Sequence, residues 1–333
     1  MIKWYCYNFI KIQIELSGGS MRSKKLTLIV LACILALSAL TGCSSSFDDT
    51  QYAVTSENNL SPDGFIYSVY ENNTAVITGI NTADTEMTIP DTVGNYKVVE
   101  IGADAFSGNE ITKLVTIGSN VEKIGANAFS DCAALVRVDM TENVKKIGSG
   151  AFYNCENLCE VKGATGVIVI EEVAFYACTS LARFDLPETL RTIGNEAFGA
   201  CESLVEVKLP EKIESVGLGA FSYCSSLSRL DLGGLTEVPE KAFLRCTSLG
   251  KVVIGENVTS IGVQAFRGCD VLKYVYIDKS VKTVGASALS TCPLLEISYS
   301  GSEANWKKIN FAEGNEGLET VKITYKQKLE KAK

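Results

Sequence analysis

The pair Ala-Phe returns along this chain at an almost constant interval. Phe106 is followed by Phe129, Phe152, Phe175, Phe198, Phe221, Phe243 and Phe266, and Leu289 stands in the same slot. Every step is 23 residues except that from Phe221 to Phe243, which is 22. A fixed period of this length means a solenoid, in which each unit is one coil stacked on its neighbours. Such architectures generally bind rather than catalyse, and the repeat does not name the ligand.

The coil that starts at Phe175 is the most regular copy. Apolar residues follow at Cys178, Leu181, Phe184, Leu186, Leu190 and Ile193, and Gly194 comes next; the following copy runs Cys201, Leu204, Val207, Leu209, Ile213, Val216 and Gly217. The apolar residues nine and eleven positions after the Phe alternate with polar ones at eight and ten, the period of a half-buried strand. Pro187 and Pro210 end these strands because proline cannot donate to a ladder. A second extended piece ends at the Gly, and the Ala-Phe-x-x-Cys segment is expected to be a helical turn that closes the coil. The fold class is therefore an α/β repeat solenoid.

A single coil has too few apolar side chains to offset the entropy of ordering it, so burial between coils must hold the stack together and the ends need covers. Residues 65–100 read as short strands forming an N-terminal cap, the repeats run over 101–297, and 298–333 form a C-terminal cap and tail. Leu295 keeps the pattern, Ser298 and Ser300 break it, and a last strand at Val321–Tyr325 is expected to cover the final edge.

The unit Cys-x-x-Leu-x-x-φ-x-φ-Pro-x-x-φ-x-x-Ile-Gly-x-x-Ala-Phe resembles the treponemal-type leucine-rich repeat of BspA-like bacterial surface proteins. The entry segment before Ile101 and the closing run from Tyr299 to Ile309, with Trp306 inside it, are similar to that family's ends. The resemblance covers residues 65–325. Departures are local: Asn109 replaces the first Cys, Glu171 and Pro239 replace the Gly, and Leu289 replaces the last Phe. It implies a right-handed superhelix with parallel strands on one face, and adhesion or protein-binding roles at cell surfaces. It carries no catalytic motif.

The N-terminus gives a second signal. Met21–Lys25 is a basic stretch, Leu26–Leu40 is apolar, and Leu40-Thr-Gly-Cys43 resembles a lipobox, where bacterial lipoproteins are acylated and cut. The apolar run is short for a membrane span and reads as a cleaved signal. Residues 21–42 are thus expected to be a lipoprotein signal peptide and Cys43 the lipidation site, which would place the protein at the bacterial cell envelope. Residues 1–20 precede what already looks like a start at Met21, and residues 43–64 read as a flexible tether.

Charge fits export. Residues 1–42 hold five basic and one acidic side chain, so their removal takes the net charge from −8 to −12. An acidic chain is a poor partner for nucleic acid. Histidine is absent from the whole sequence, which removes His-based triads, His metal sites and the commonest general base. No cofactor and no metal are expected.

Twelve cysteines in an exported chain ordinarily suggest disulfides. Here Cys132, Cys155, Cys178, Cys201, Cys224, Cys246, Cys269 and Cys292 share one repeat slot. They should form an interior column about 4.8 Å apart with parallel side chains, a geometry that disfavours bridging. Buried free thiols packing as small hydrophobes are expected. Cys159 lies outside the column, near the strand surface.

The outward strand positions carry alternating charge. One column reads Arg137, Glu160, Arg183, Glu206, Arg229 and the other Asp139, Lys162, Asp185, Lys208, Asp231. Five consecutive strands would carry a chequerboard in which each charge has opposite neighbours. Like carboxylates two strands apart would be separated by about 9–10 Å, close to an inverting glycosidase pair. The intervening Lys or Arg would keep both ionised, which is wrong for a general acid. Beyond Asp231 the columns continue as Lys251, Tyr274, Ile297 and Val253, Tyr276, Tyr299, with Lys273 adjacent. Aromatic and basic residues clustered on an otherwise self-neutralised sheet suit recognition, so Lys251, Lys273, Tyr274, Tyr276 and Tyr299 are the candidate ligand-binding residues. The expected function is a surface-anchored module that binds a protein or a glycan. The alternatives are a passive envelope component and, third, a carboxylate-based enzyme acting on glycans.

Overall fold

In the computed structural model, which describes residues 52–294 and 296–328, successive coils lay down two short strands each, and like strands stack into parallel ladders. Residues 21–42, expected to be a signal peptide, Cys43, the start of the span expected as tether, Leu295 and the final five residues lie outside the described residues. Among the described residues no helix is long and apolar enough to cross a membrane.

The first ladder carries the alternating positions. Arg137–Asp139 pairs with Glu160–Lys162 in step with the repeat, Glu160 opposite Arg137 and Lys162 opposite Asp139. Val138 between the two charges is fully buried, as the alternation requires. The second ladder holds the two-residue strands before the Gly slot, such as Lys146–Ile147, Val169–Ile170 and Thr192–Ile193. Glycine follows because the coils approach closely there: a Cβ on Gly194 would clash with the backbone nitrogen of Glu172. Glu171 occupies the slot in its own coil and directs its carboxylate to Lys146 at 2.9 Å and to the Ser149 N–H at 3.0 Å.

The Ala-Phe segments are tight turns rather than helical turns. Two residues in each coil adopt the left-handed region, one two positions before the Phe and one two positions after it, such as Glu196 and Ala200 around Phe198. A right-handed helix cannot continue through either. The turns are joined coil to coil instead, the Phe175 N–H donating to the Ala197 carbonyl at 2.7 Å. Among the described residues the one α-helix is Glu303–Trp306.

The core is built from columns. The Phe rings from Phe106 to Phe266 stack with centroids 5.1 to 5.7 Å apart. Beside them run the cysteines, all free: Cys132 through Cys269 are buried, Cys292 is partly so, and Cys159 is exposed.

Both ladders break at the one coil that is a residue short. Leu209 and Ile213 are four apart, whereas the matching Leu232 and Leu235 are three apart. The shortened corner puts the coils out of step. Ser215–Val216 ends one ladder and Glu237–Val238 starts the next, while Arg229–Asp231 does not pair with Lys251–Ile254. Pro239, in the Gly slot, has no N–H to give where Gly217 and Gly262 each bond the preceding coil. Across this seam the turn edge persists, with bonds from Phe221 to Ala242 and from Tyr223 to Leu244.

The first ladder has another gap, at Arg183–Asp185, where no strand forms. Phe184 stands where neighbouring coils have Val161 and Val207, and its buried ring meets Phe175 and Phe198 edge-on at 5.1 and 5.3 Å. A phenyl ring in a valine-sized slot holds the backbone off the ladder. The charge pattern therefore does not run through five consecutive strands.

At the N-terminal end Val54–Leu60, Phe65–Tyr70 and Thr74–Ile80 form an antiparallel meander, whose last strand runs parallel to Tyr96–Ile101. Residues 54–60 thus belong to a sheet, within the span expected as tether. At the other end Lys322–Tyr325 pairs in parallel with Glu296–Tyr299.

Candidate ligand-binding groove

The missing pairing between Arg229–Asp231 and Lys251–Ile254 leaves an open groove of about 770 Å³ on the first ladder. Leu230, Asp231 and Gly233 line one side, and Lys251, Val253, Tyr274 and Tyr276 line the other. Lys251 and Tyr274 face each other in register on adjacent strands, as do Val253 and Tyr276. Val275 and Ile277 point into the core between them. Tyr274 is 48% exposed, and Tyr276 is partly buried beside it.

Three of the five candidate residues meet here and two do not. Tyr299 is 1% exposed. It pairs with Ile277 rather than Tyr276, and Ser298 takes the outward position. The step from Tyr274 to Glu296 is 22 residues, so a fixed offset counted from Leu289 lands one position too far. Tyr299 packs edge-on against Trp306 at 5.2 Å and Tyr325 at 6.4 Å. Lys273 is exposed but precedes its strand and does not line the groove.

The groove also holds Glu296, Ser298, Gln327 and Lys328, which the sequence reading missed. Inward alternation of Ile297 with Tyr299 was the available signal for the first two; Gln327 and Lys328 follow the last strand and carry no repeat signature. Glu296 accepts from the Thr324 hydroxyl at 2.6 Å and from Lys322 at 3.3 Å, which holds its carboxyl below the usual range.

On the first half of the ladder the charges consume one another. Arg137 pairs with Asp139 at 2.7 Å along its own strand and with Glu160 at 3.5 Å across to the next; Lys162 meets Glu160 at 2.9 Å, and Arg229 meets Glu206 at 3.1 Å. Lys251 makes no ion pair with the described residues. The groove therefore offers an exposed ring, uncommitted positive charge and hydrogen-bonding groups. Of its two carboxylates, Glu296 is held ionised, the wrong state for proton donation. Among the described residues no group of metal-ligating side chains clusters.

Residues 81–184 and 168–296 match the model of the BspA-type leucine-rich repeat region, in six copies. The chain belongs to the BspA-type leucine-rich repeat family. A solved leucine-rich repeat protein from Bacteroides ovatus is 25% identical, with 72% of this chain and 58% of that one covered and a TM-score of 0.59. This BspA-type chain thus spans a little over half the length of that relative. A leucine-rich cell surface protein from Faecalibacterium prausnitzii is 24% identical, over 80% of this chain and 99% of that one, at a TM-score of 0.40. The leucine-rich repeat protein of T. pallidum is 24% identical, over 70% and 89%, at 0.44. No curated protein matches the BspA-type chain.

Proposed function

We propose that this BspA-type protein is an interaction module of the bacterial envelope that holds a protein or glycan ligand in the groove at Lys251, Tyr274 and Tyr276. The observation that carries the reading is the exposed Tyr274 ring beside Lys251, which makes no ion pair with the described residues, on a ladder where Arg137, Asp139, Glu160, Lys162, Glu206 and Arg229 are matched with one another. Tyrosine brings contact area at little entropic cost, and anchors of this kind dominate interface energies. Membership of a repeat family supports binding over catalysis. The test is affinity for a captured ligand: Tyr274→Ala with Tyr276→Ala should cost about 2 kcal/mol or more. Unchanged affinity would move the site elsewhere.

Display at the envelope rests on Leu40-Thr-Gly-Cys43. Acylation at Cys43 would provide the anchor, since two acyl chains hold a protein where one is marginal. A fatty-acid label should mark the wild type and be lost in Cys43→Ser. Equal labelling of both would remove the anchor from the reading.

A further inference from the structure

The chain is electrically lopsided. Residues 43–244 hold 13 basic and 29 acidic side chains, whereas residues 245–333 hold 13 basic and 9 acidic. A protein that repels polyanions over most of its length therefore has one basic end, and the groove lies at it.

A second cavity, of about 760 Å³, continues from the groove and shares Tyr276, Gln327 and Lys328 with it. Lys279, Lys282 and Lys326 line it together with the hydroxyls of Ser280 and Ser300 and the amide of Asn305. Of its two carboxylates, Glu256 and Asp278, the second is already engaged. Burial alone would raise it, but the Ser300 hydroxyl at 2.7 Å and the Ser280 N–H at 2.9 Å hold it below the usual range. The Ser300 hydroxyl accepts in turn from the Lys279 N–H at 2.8 Å, which fixes the loop bearing that lysine. Lys326 and Lys328 make no ion pair with the described residues.

We infer that the ligand is an anionic polysaccharide, with a sugar ring on Tyr274 and acid groups among Lys279, Lys326 and Lys328. This rests on the groove being the binding surface. The choice of glycan over acidic peptide comes from the mixed lining: Asp231 and Glu296 in the groove and Glu256 and Asp278 in the cavity repel any acid group set against them, so the ligand must place hydroxyls there and its acid groups at the lysines, which an unbroken run of Asp and Glu side chains does not do. Each can instead accept from sugar hydroxyls, while Ser and Asn serve the remaining hydroxyls and lysines the acid groups. The flat Tyr274 face suits the apolar side of a pyranose ring.

The experiment measures binding of the full chain to polygalacturonate, heparin, uncharged dextran and polyglutamate over a range of salt. Two variants accompany the wild type: Lys279→Gln with Lys326→Gln and Lys328→Gln, and Tyr274→Ala. Thermal melts confirm that both fold. The expected result is binding of polygalacturonate or heparin, whichever acid the natural ligand carries, weakening as salt rises. The triple lysine variant should bind at least tenfold more weakly, and Tyr274→Ala should also lose affinity. Dextran binding that needs Tyr274 but ignores the lysines would overturn the anionic assignment while leaving the groove intact. Equal, lysine-dependent binding of polyglutamate would overturn the glycan in favour of an acidic peptide. Anionic glycan binding untouched by Tyr274→Ala would overturn this inference and the groove together, and binding of none of the four would overturn the inference alone.

Discussion

The Cys178 thiol donates to the Phe152 carbonyl of the preceding coil at 3.1 Å. The same bond recurs up the column, from Cys132 to Phe106 at 3.2 Å through Cys269 to Phe243 at 3.4 Å. Each cysteine is thus both a small apolar filler and the second donor to a buried carbonyl that already accepts from a backbone N–H three residues on. Truncation of Cys178 to Ala should cost about 1–2 kcal/mol, from the lost bond and the small void. Denaturant unfolding measures this, and an unchanged midpoint would show that the bond contributes nothing.

The thiols also set an alkaline limit. Burial pushes Cys224 up to about 12 and raises Cys178 and Cys201 likewise. In the unfolded chain a thiol titrates near ~8.5. Raised folded values mean that the contribution is fully present below that pH and is lost as pH rises toward the folded value, because the unfolded state ionises first. Melting temperature should therefore fall between about pH 9 and pH 11, and fall less in a Cys178→Ala, Cys201→Ala variant. Alkylation at neutral pH should label Cys159 in the folded protein and the buried column only after unfolding; early labelling of Cys178 would contradict the packing.

The charge pattern makes a contrast between two arginines. Arg137 has partners along its strand and across to the next, whereas Arg183 lies in the coil lifted by Phe184 and, among the described residues, pairs only with Asp185, at 2.8 Å. Reversal at Arg137→Glu should lower the melting temperature in a salt-dependent way, while Arg183→Glu should change it little. Equal effects at the two sites would mean that the interrupted strand is not what sets them apart.

Tyr299 should behave as core. Tyr299→Ala is expected to cost about 3–5 kcal/mol of stability, as for other large buried rings, and Tyr274→Ala to cost little. Chemical denaturation of the two variants compares them, and a reversed order would return Tyr299 to the surface.

Close approach at the Gly slot gives a further contrast. Gly194→Ala forces a methyl against backbone and should lose about 1–3 kcal/mol, whereas Gly255→Ala meets nothing within 4 Å and should be nearly neutral. Thermal melts of the pair decide it.

Much of this architecture was legible because its physics repeats. The 23-residue step, the in-out alternation around Val138 and the shared thiol slot each appear many times, so one irregular copy does not hide them. The sequence reading failed where the rule is local. The left-handed positions before the Phe are held by Asp104, Asn127, Val173, Glu196, Lys241 and others, with Gly at only two of them, so no uniform residue announced the turn. Phe184 passes for one more apolar residue in a strand until the size of its slot is known. The placement of Tyr299 failed because distance was counted from Leu289, although the alternation of Ile297, Ser298 and Tyr299 assigns the third residue to the interior. The groove itself comes from a deletion of one residue between Leu232 and Leu235, which the 22-residue step recorded without saying what would open there.

That short coil makes the molecule unevenly stiff. Elsewhere successive coils are fastened along the second ladder and the turn edge, and along the first ladder too except at Arg183–Asp185, but at the seam both ladders are interrupted and the turn edge, the Ser248–Ser225 and Cys246–Phe221 bonds and the Phe221–Phe243 stack, at 5.7 Å the widest in its column, carry the connection. A bending load will concentrate there, and the yielding direction swings Asp231 away from Lys251 about the line of turns, as a book opens on its spine. The groove is the gap that this motion widens or closes. A ligand that touches both walls is therefore a brace, and tension on the protein and occupancy of the groove oppose each other.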